Sequence, residues 1–306
     1  MKFSLTLSTL FIACIATAPI HADHGPGTSG SGFTTITAET LKQGAFGSTL
    51  QFDYTQFSDA GKIIPDVELI DRSYLTTVSL SYGLTDNFQL GLNYGYYDGQ
   101  GNRALDAGVL DTFKPDGFTD LWVTGKYRVY QGPLGQFSLL GGVKAPTGDS
   151  YAVSTLGAVV EPSATAGTGA WDGMFGAAYT LPLSATLTLD ASARYTIRGE
   201  RYDYRLGNRV DVGTCIGWLV WGDARSFPQI SLVGEATLRH VARSVAAGIT
   251  NGNTGSTVIF LSPGVKVAFN RSISASVGVQ LPVIQHLNGH QVDTQFRLIS
   301  AVNIAF

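Results

Sequence analysis

Residues 46–54 read Phe-Gly-Ser-Thr-Leu-Gln-Phe-Asp-Tyr, and this stretch decides the fold. Phe46, Leu50, Phe52 and Tyr54 stand at alternate positions, while most of the positions between them hold glycine or polar residues. Successive side chains of a β-strand point to opposite faces. The stretch therefore predicts a strand with one apolar face and one polar face.

The same alternation recurs along the chain as far as its last residue. Twelve segments show it, which is an even number and suits a closed barrel with both termini on one side of a membrane. The final segment ends with Val302, Ile304 and Phe306 at alternate positions. This ending resembles the terminal signal by which outer-membrane proteins are recognised for assembly, so we expect Phe306 to be read by the barrel-assembly machinery.

The connections between these segments alternate in length. Short turns are predicted at residues 85–87, 131–135, 182–184, 222–226 and 270–271, and mostly much longer polar loops at residues 58–72, 97–117, 146–170, 199–208, 241–255 and 285–291. Short periplasmic turns and long extracellular loops are typical of outer-membrane barrels. The sequence thus predicts an all-β fold, a transmembrane antiparallel up-and-down β-barrel of about twelve strands.

The N-terminus predicts export from a Gram-negative cell. Lys2 precedes a short apolar run, and small residues around Ala22 suit a cleavage site, so residues 1–22 are interpreted as a signal peptide. Residues 23–44 are rich in Gly, Ser, Thr and Pro and have no apolar period. We expect them to be flexible, either in the periplasm or folded into the pore. Residues 45–306 would form the barrel in the cell outer membrane.

The composition agrees with a membrane barrel and excludes other classes. Charged residues make up 14% of the chain, below the ~25% that is usual for soluble domains. The formal net charge is −3, which does not suggest a nucleic-acid binder. Beyond the leader, no apolar stretch approaches the roughly 18 residues of a transmembrane helix.

Charged residues gather on the polar faces of the predicted strands. Lipid penalises each Lys or Arg at the bilayer midplane by ~2–4 kcal/mol, so the uncharged apolar faces are predicted to meet lipid and the polar faces to line the lumen. The predicted pore-lining residues are Asp120, Lys126, Arg128, Lys144, Asp172, Asp190, Arg194, Arg198, Arg209, Asp211, Glu235, Arg239, Lys266, Asp293 and Arg297.

Two roles are open for these residues. Basic side chains outnumber acidic ones among them, and rings of Lys and Arg favour anions, so one hypothesis is weak selectivity for small anionic or polar solutes, including aromatic acids. In the other, the basic residues pair with acidic residues on neighbouring strands and simply hold the barrel together.

Catalytic and metal chemistry finds little support in the sequence. No histidine is followed by serine two residues later, the pattern of outer-membrane phospholipases, so we expect no catalytic residues and no enzyme. His286 and His290 share a predicted external loop, but two ligands fall short of the three or four of a convincing metal site. No metal and no cofactor are predicted. The expected partners are outer-membrane lipid, lipopolysaccharide and a small-molecule solute.

Four segments resemble the outer-membrane transporter family of the MetA-pathway of phenol degradation. They are residues 82–88, 117–127, 142–150 and 167–169, and the resemblance runs from about residue 45 to the end. It implies a barrel with a role in passing hydrophobic or aromatic compounds, and it carries over no catalytic residues.

The sequence therefore predicts an outer-membrane channel or transporter for passive uptake of small solutes. An alternative of a different class is a structural or adhesive surface barrel whose lumen is plugged by residues 23–44 and which acts through its external loops.

Overall fold

The computed structural model describes residues 32–58, 68–104, 110–223 and 226–306. The predicted signal peptide lies outside the described residues. The strands found in the described ranges are β1 (Phe46–Phe57), β2 (Glu68–Thr85), β3 (Phe88–Ala104), β4 (Leu110–Phe113), β5 (Asp116–Phe118), β6 (Leu121–Gly132), β7 (Gly135–Ala145), β8 (Asp172–Pro182), β9 (Leu187–Ile197), β10 (Glu200–Arg201), β11 (Tyr204–Arg205), β12 (Arg209–Trp221), β13 (Gln229–Val241), β14 (Val245–Ala246), β15 (Ile249–Thr250), β16 (Ser256–Ala268), β17 (Ile273–Leu287) and β18 (Thr294–Ala305).

Twelve of these strands close into an antiparallel barrel, which confirms the fold predicted from the sequence. Their order around the barrel is β1, β2, β3, β6, β7, β8, β9, β12, β13, β16, β17 and β18, so each pairs with its neighbours in the chain. The barrel closes where β1 pairs with β18. There the amide of Phe46 donates to the carbonyl of Phe306 at 2.7 Å, and the amide of Phe306 donates back at 2.9 Å.

The outer face of the barrel is apolar and the inner face is polar. On β1, Leu50 is 52% exposed on the outside, whereas Thr49 and Asp53 are buried on the inside. Val78 and Leu80 of β2 lie beside Leu50 and Ser48 on the same outer face. A continuous apolar surface of this kind is stable against hydrocarbon and not against water, and the molecule is accordingly an outer-membrane protein.

Aromatic side chains lie near both rims of the barrel. Phe46 packs against Tyr82 and Phe306 at the end that carries the C-terminus, with ring centroids 4.6 and 5.9 Å apart. Tyr54 packs against Tyr74 near the opposite end, at 5.0 Å. Aromatic side chains favour the interface between membrane and water, so these two levels mark the borders of the hydrocarbon layer. Among the described residues, no helix is long and apolar enough to cross a bilayer.

β2 and β3 extend further at their external ends than the sequence predicted. β2 begins at Glu68 and β3 continues to Ala104, in regions that were expected to be loops. These extensions lack a clear apolar period, but their backbones continue the β2–β3 ladder, which needs no apolar side chain. Short strands also form in the loops themselves, and β10, β11, β14 and β15 join two of the loops into a small sheet.

Candidate functional site

The chain enters the barrel before it forms the first strand. Residues 32–41, which we call the lumen segment, lie inside the lumen. Phe33, Ile36, Ala38 and Leu41 are each at most 4% exposed. The segment runs along the inner wall from β3, near Leu41, to β16 and β17, near Phe33. It therefore crosses the interior of the molecule.

A single carboxylate holds the first residues of the lumen segment. Glu235 on β13 accepts hydrogen bonds from the backbone amides of Phe33 at 3.2 Å, Thr34 at 2.9 Å and Thr35 at 2.5 Å. The hydroxyl of Thr34 donates to the same carboxylate at 3.1 Å. Glu235 is 2% exposed. Hydrogen bonds to a charged group contribute about 1.5–3 kcal/mol each when buried, so this contact fixes the segment firmly.

Polar side chains of the wall satisfy the rest of the segment's backbone. The amide of Ile36 donates to Ser192 Oγ at 3.0 Å, the amide of Ala38 to Thr180 Oγ1 at 2.9 Å, and the amide of Leu41 to Gln89 Oε1 at 2.8 Å. Thr180 in turn donates to Asp190 at 2.6 Å. Lys126, which is fully buried, donates to the carbonyl of Thr37 at 3.2 Å.

Phe33 occupies a seat made by two glycines. A Cβ atom placed on Gly264 or Gly278 would lie only 2.2 or 2.3 Å from its ring. Cys215, Val233 and Ile299 complete the apolar cluster around the ring. Because a methyl group at either glycine would overlap the ring, the two positions must stay without side chains while Phe33 is inside.

The lumen segment lies in the pore, which is one of the two places expected for residues 23–44, but hydrogen bonds to the wall hold it in a defined conformation. Thr-rich sequence without an apolar period has no local reason to be ordered. Here the order comes from acceptors on distant strands, which replace water as partners of the segment's backbone amides. Residues 23–31 lie outside the described residues.

Three arginines surround one carboxylate on the inner wall. Arg209 Nε lies 2.6 Å from Asp211 Oδ2, and Arg239 Nε lies 3.1 Å from Asp211 Oδ1. Arg194 stands opposite Asp211 on the neighbouring strand. Within the described ranges, its guanidinium makes no hydrogen bond or ion pair. We call these four residues the arginine cluster; three cations against one carboxylate leave it with surplus positive charge.

A cavity of about 210 Å³ lies between the arginine cluster and the lumen segment. Ile36, Trp122, Leu140 and Met174 supply apolar lining, and Asn93, Thr124, Gly125 and Thr196 complete the wall. Arg194, Arg198, Arg209 and Asp211 supply the charged lining. The cavity therefore combines an apolar wall with a cationic one.

A second, balanced ion network lies where the external loops meet the barrel. Lys144 Nζ is 2.8 Å from both Asp120 and Asp172, and Arg198 is 2.7 Å from Asp172. Lys144 also donates to Thr168 Oγ1. Burial by itself would raise the pKa of the Asp120 carboxyl, but the hydrogen bonds from Lys144, Thr168 and Gly148 outweigh it and bring the pKa below its usual value.

The remaining predicted pore residues have varied positions. Arg297 pairs with Asp53 at 3.0 Å on the inner wall. Lys266 is partly buried beside Ser231 and Ser276 of the adjacent strands. Arg128 lies at the rim, where it donates to Asn87 and Gln136.

Asp293 does not belong to the inner wall. It is exposed in the external loop before β18, because that strand begins only at Thr294. The backbone carbonyl of Asp293 accepts the amide of Ser58, so the residue joins two external loops.

Sequence reasoning missed several contributors to the cavity. Trp122 and Met174 stand on the polar faces of β6 and β8, where an apolar residue breaks the alternation. That break is the signal that could have found them, since large apolar side chains inside a wet lumen need a reason. Ile36 had no such signal, because its position depends on the long-range contacts of the lumen segment.

Metal ligands do not assemble in the part of the chain that the structure describes: no group of three or more His, Cys, Asp or Glu side chains comes together there. His286 stands near the end of β17, opposite Thr257, and His290 donates its backbone amide to Asn253 at 3.1 Å.

A closed barrel of twelve strands, with an apolar outer face and a charged inner face, defines the molecule as an outer-membrane β-barrel protein. Its sequence then shows the family. Residues 26–284 match the family described as "Putative MetA-pathway of phenol degradation", and the chain belongs to it. The resemblance noted in the sequence is confirmed.

One solved structure shares the barrel fold, and a second is less similar. The chain is similar to an outer membrane channel from Pseudomonas putida F1, with a TM-score of 0.63 and 15% identity over 88% of this chain and 98% of that one. The translocator domain of autotransporter NalP from Neisseria meningitidis gives a TM-score of 0.49 and 12% identity over 86% of this chain and 89% of that one. No curated protein matches the chain.

Proposed function

We propose that this protein is a channel through which small solutes cross the outer membrane passively, with a preference for anions. The observation that carries the proposal is the arginine cluster, where three cations, Arg194, Arg209 and Arg239, lie around Asp211. Surplus cations inside a low-dielectric wall attract anions and repel cations. The lumen segment narrows the passage beside this cluster, so solutes would pass close to the guanidinium groups.

The family supports a finer proposal about the solute. Its description refers to phenol degradation, and the P. putida relative is described as an outer membrane channel. We propose that small aromatic or hydrophobic compounds are among the solutes. Such passage would need neither a catalytic group nor an energy source, and we propose no enzymatic step.

Reversal potentials in planar bilayers test the anion preference. Under a potassium chloride gradient, the current through the purified protein should have a reversal potential shifted towards the chloride equilibrium potential. Arg194→Gln should lower the chloride-to-potassium permeability ratio about twofold, because it removes one of the surplus charges. Arg271→Gln, which makes the same change in an exposed periplasmic turn, should leave the ratio unaltered. A cation-selective wild-type pore would contradict the proposal.

A structural or adhesive surface barrel is the second candidate, and the lumen segment favours it. The backbone of the lumen segment is hydrogen-bonded to several strands of the barrel wall, which is expected of a segment that plugs the lumen. Conductance separates the two candidates. A channel gives discrete current steps in the bilayer, whereas a plugged scaffold gives almost none.

The surroundings of the barrel are proposed from its position. Outer-membrane lipid would meet the apolar face and lipopolysaccharide the external loops. The C-terminal Phe306, whose ring stacks on Phe46 at the closing seam, would be recognised by the barrel-assembly machinery. Phe306→Ala should lower the amount of assembled barrel in the outer membrane, measured as the heat-modifiable band on gels.

A further inference from the structure

We infer that the cavity beside Arg194 binds small aromatic monocarboxylates. This inference rests on the proposed channel function and deepens it, because it gives one solute class a binding site inside the lumen.

The size of the cavity suits a ligand with one ring. Its volume is about 210 Å³. Sites for drug-sized ligands usually measure about 300–1,000 Å³. An apolar cavity of ~150 Å³ is already large enough for benzene. A single ring with a short substituent therefore fits.

The apolar wall suits the ring. Trp122 offers an aromatic surface, and Met174 offers a polarizable sulfur, both of which interact favourably with aromatic ligands. Ile36 and Leu140 add aliphatic contacts. Water in contact with such a wall forms few hydrogen bonds to it. Binding of a ring that displaces this water is therefore favoured by the hydrophobic effect.

The cationic wall suits a carboxylate. Arg194 makes no hydrogen bond or ion pair within the described ranges, although it faces the cavity. Arg198 Nε is buried and also has no hydrogen-bond partner among the described residues. A buried guanidinium N–H without a partner, such as Arg198 Nε, is costly, and the half-buried Arg194 presents its donors to the cavity. A carboxylate can accept two parallel hydrogen bonds from one guanidinium and thereby supplies what is missing.

Other ligand types satisfy only part of this cavity. Acetate carries the charge but leaves the apolar wall empty, and phenol fills the wall but brings no carboxylate to accept hydrogen bonds from Arg194. An aromatic dicarboxylate would bring its second charge towards Asp211 or the Asp172 end of Arg198, where repulsion opposes it. Benzoate is thus the simplest probe of the proposed class.

Calorimetric titration of the folded, full-length mature protein in detergent tests the inference directly. Benzoate should bind saturably after subtraction of the signal from empty micelles. Acetate and phenol should each bind at least about tenfold more weakly, which is the loss expected when one of two favourable contacts is absent. This comparison uses the unaltered protein, so it decides the matter even where a variant does not fold.

Variants assign the site within the lumen. Arg194→Gln should weaken benzoate binding about tenfold, and Trp122→Leu should weaken it by a smaller factor. Arg271→Gln and Trp221→Leu are the matched controls, since both residues are exposed near the periplasmic end. Both controls should bind benzoate as the wild type does.

The outcomes separate this inference from the proposed function. Equal binding of acetate and benzoate, or unchanged binding in Arg194→Gln, overturns the inference. Anion-selective conductance without benzoate binding would overturn it while leaving the channel intact. Saturable, Arg194-dependent benzoate binding without any conductance would uphold the site and contradict the channel.

Discussion

Gly264 and Gly278 lie side by side on paired strands, and the ring of Phe33 rests against both. At this residue scale the sequence carried no prediction for either glycine. It could not identify what they accommodate, because Phe33 is more than 230 residues earlier in the chain. A glycine on a strand often marks a close approach by another group, and here the group is an aromatic ring.

Gly278→Ala is expected to push Phe33 out of its seat. The new Cβ would meet the ring at 2.3 Å, so the segment must shift, at a cost of about 1–3 kcal/mol for overpacking. The mean single-channel conductance should rise as the segment leaves the wall. Planar bilayer recordings measure this change.

Two further variants show whether the ring is the cause. Gly173→Ala places a methyl group where nothing lies within 4 Å, so it should leave the conductance unaltered. Adding Phe33→Ala to Gly278→Ala should remove the conflict that the methyl group creates. If Gly173→Ala raised the conductance as much as Gly278→Ala, the seat would not be the explanation.

Asp120 gives a prediction about pH. Its pKa is lowered in the folded protein, so it stabilises the external end of the barrel above its unfolded pKa and loses that contribution as the pH falls through the folded value. Wild type should unfold at a higher temperature than Asp120→Asn near neutral pH. The difference should shrink as the pH falls below the ordinary aspartate pKa of about 3.9. Thermal unfolding followed by circular dichroism across this range measures it.

Asp293→Asn is a suitable control for this pH effect, because Asp293 is exposed in its loop. Its unfolding temperature should match that of wild type at every pH. A gap between wild type and Asp120→Asn that grew towards acid pH would contradict the assigned sign.

At the scale of elements, the strands and the lumen segment were unequally predictable. In each barrel strand, apolar and polar residues alternate because one face meets lipid and the other faces the lumen. The local sequence is therefore enough to predict the strand. The lumen segment has no lipid face. Its conformation depends on Glu235, Thr180 and Gln89, which lie on strands far along the chain. Hence the composition of residues 23–44 allowed a place in the pore but could not predict the ordered, buried conformation of residues 32–41.

Removing residues 32–41 should widen the passage without unfolding the barrel. The barrel ladders pair strand with strand and do not involve the segment. We therefore expect a several-fold higher conductance together with an intact heat-modifiable band. Loss of that band in the shortened chain would mean that the segment is needed for the barrel itself to form.

At the scale of the whole molecule, the solvent decides the architecture. Large apolar side chains such as Leu50, Val78 and Leu139 are about half exposed on the outer face, where a soluble protein would bury them. The interior holds the polar and charged side chains instead. This inversion made the barrel predictable from sequence, whereas the cavity needed the three-dimensional placement of Ile36, Trp122 and Arg194.

The mature chain should fold only when detergent or lipid is present. In aqueous buffer without either, the outer face has nothing to cover it and the chain should aggregate. Light scattering and circular dichroism after dilution from urea, with and without detergent micelles, measure this. A dispersed β-rich monomer in buffer alone would exclude a membrane barrel.

Cys215 is the sole cysteine in the portion of the chain that the structure describes, and it lies behind Phe33 with only 1% of its surface exposed. The natural protein consequently carries its own reporter. A sulfhydryl reagent added to living cells would label this thiol only while the Phe33 ring is displaced from the cluster that buries Cys215. The rate of labelling would then report how often Phe33 is displaced, without any engineered change to the chain.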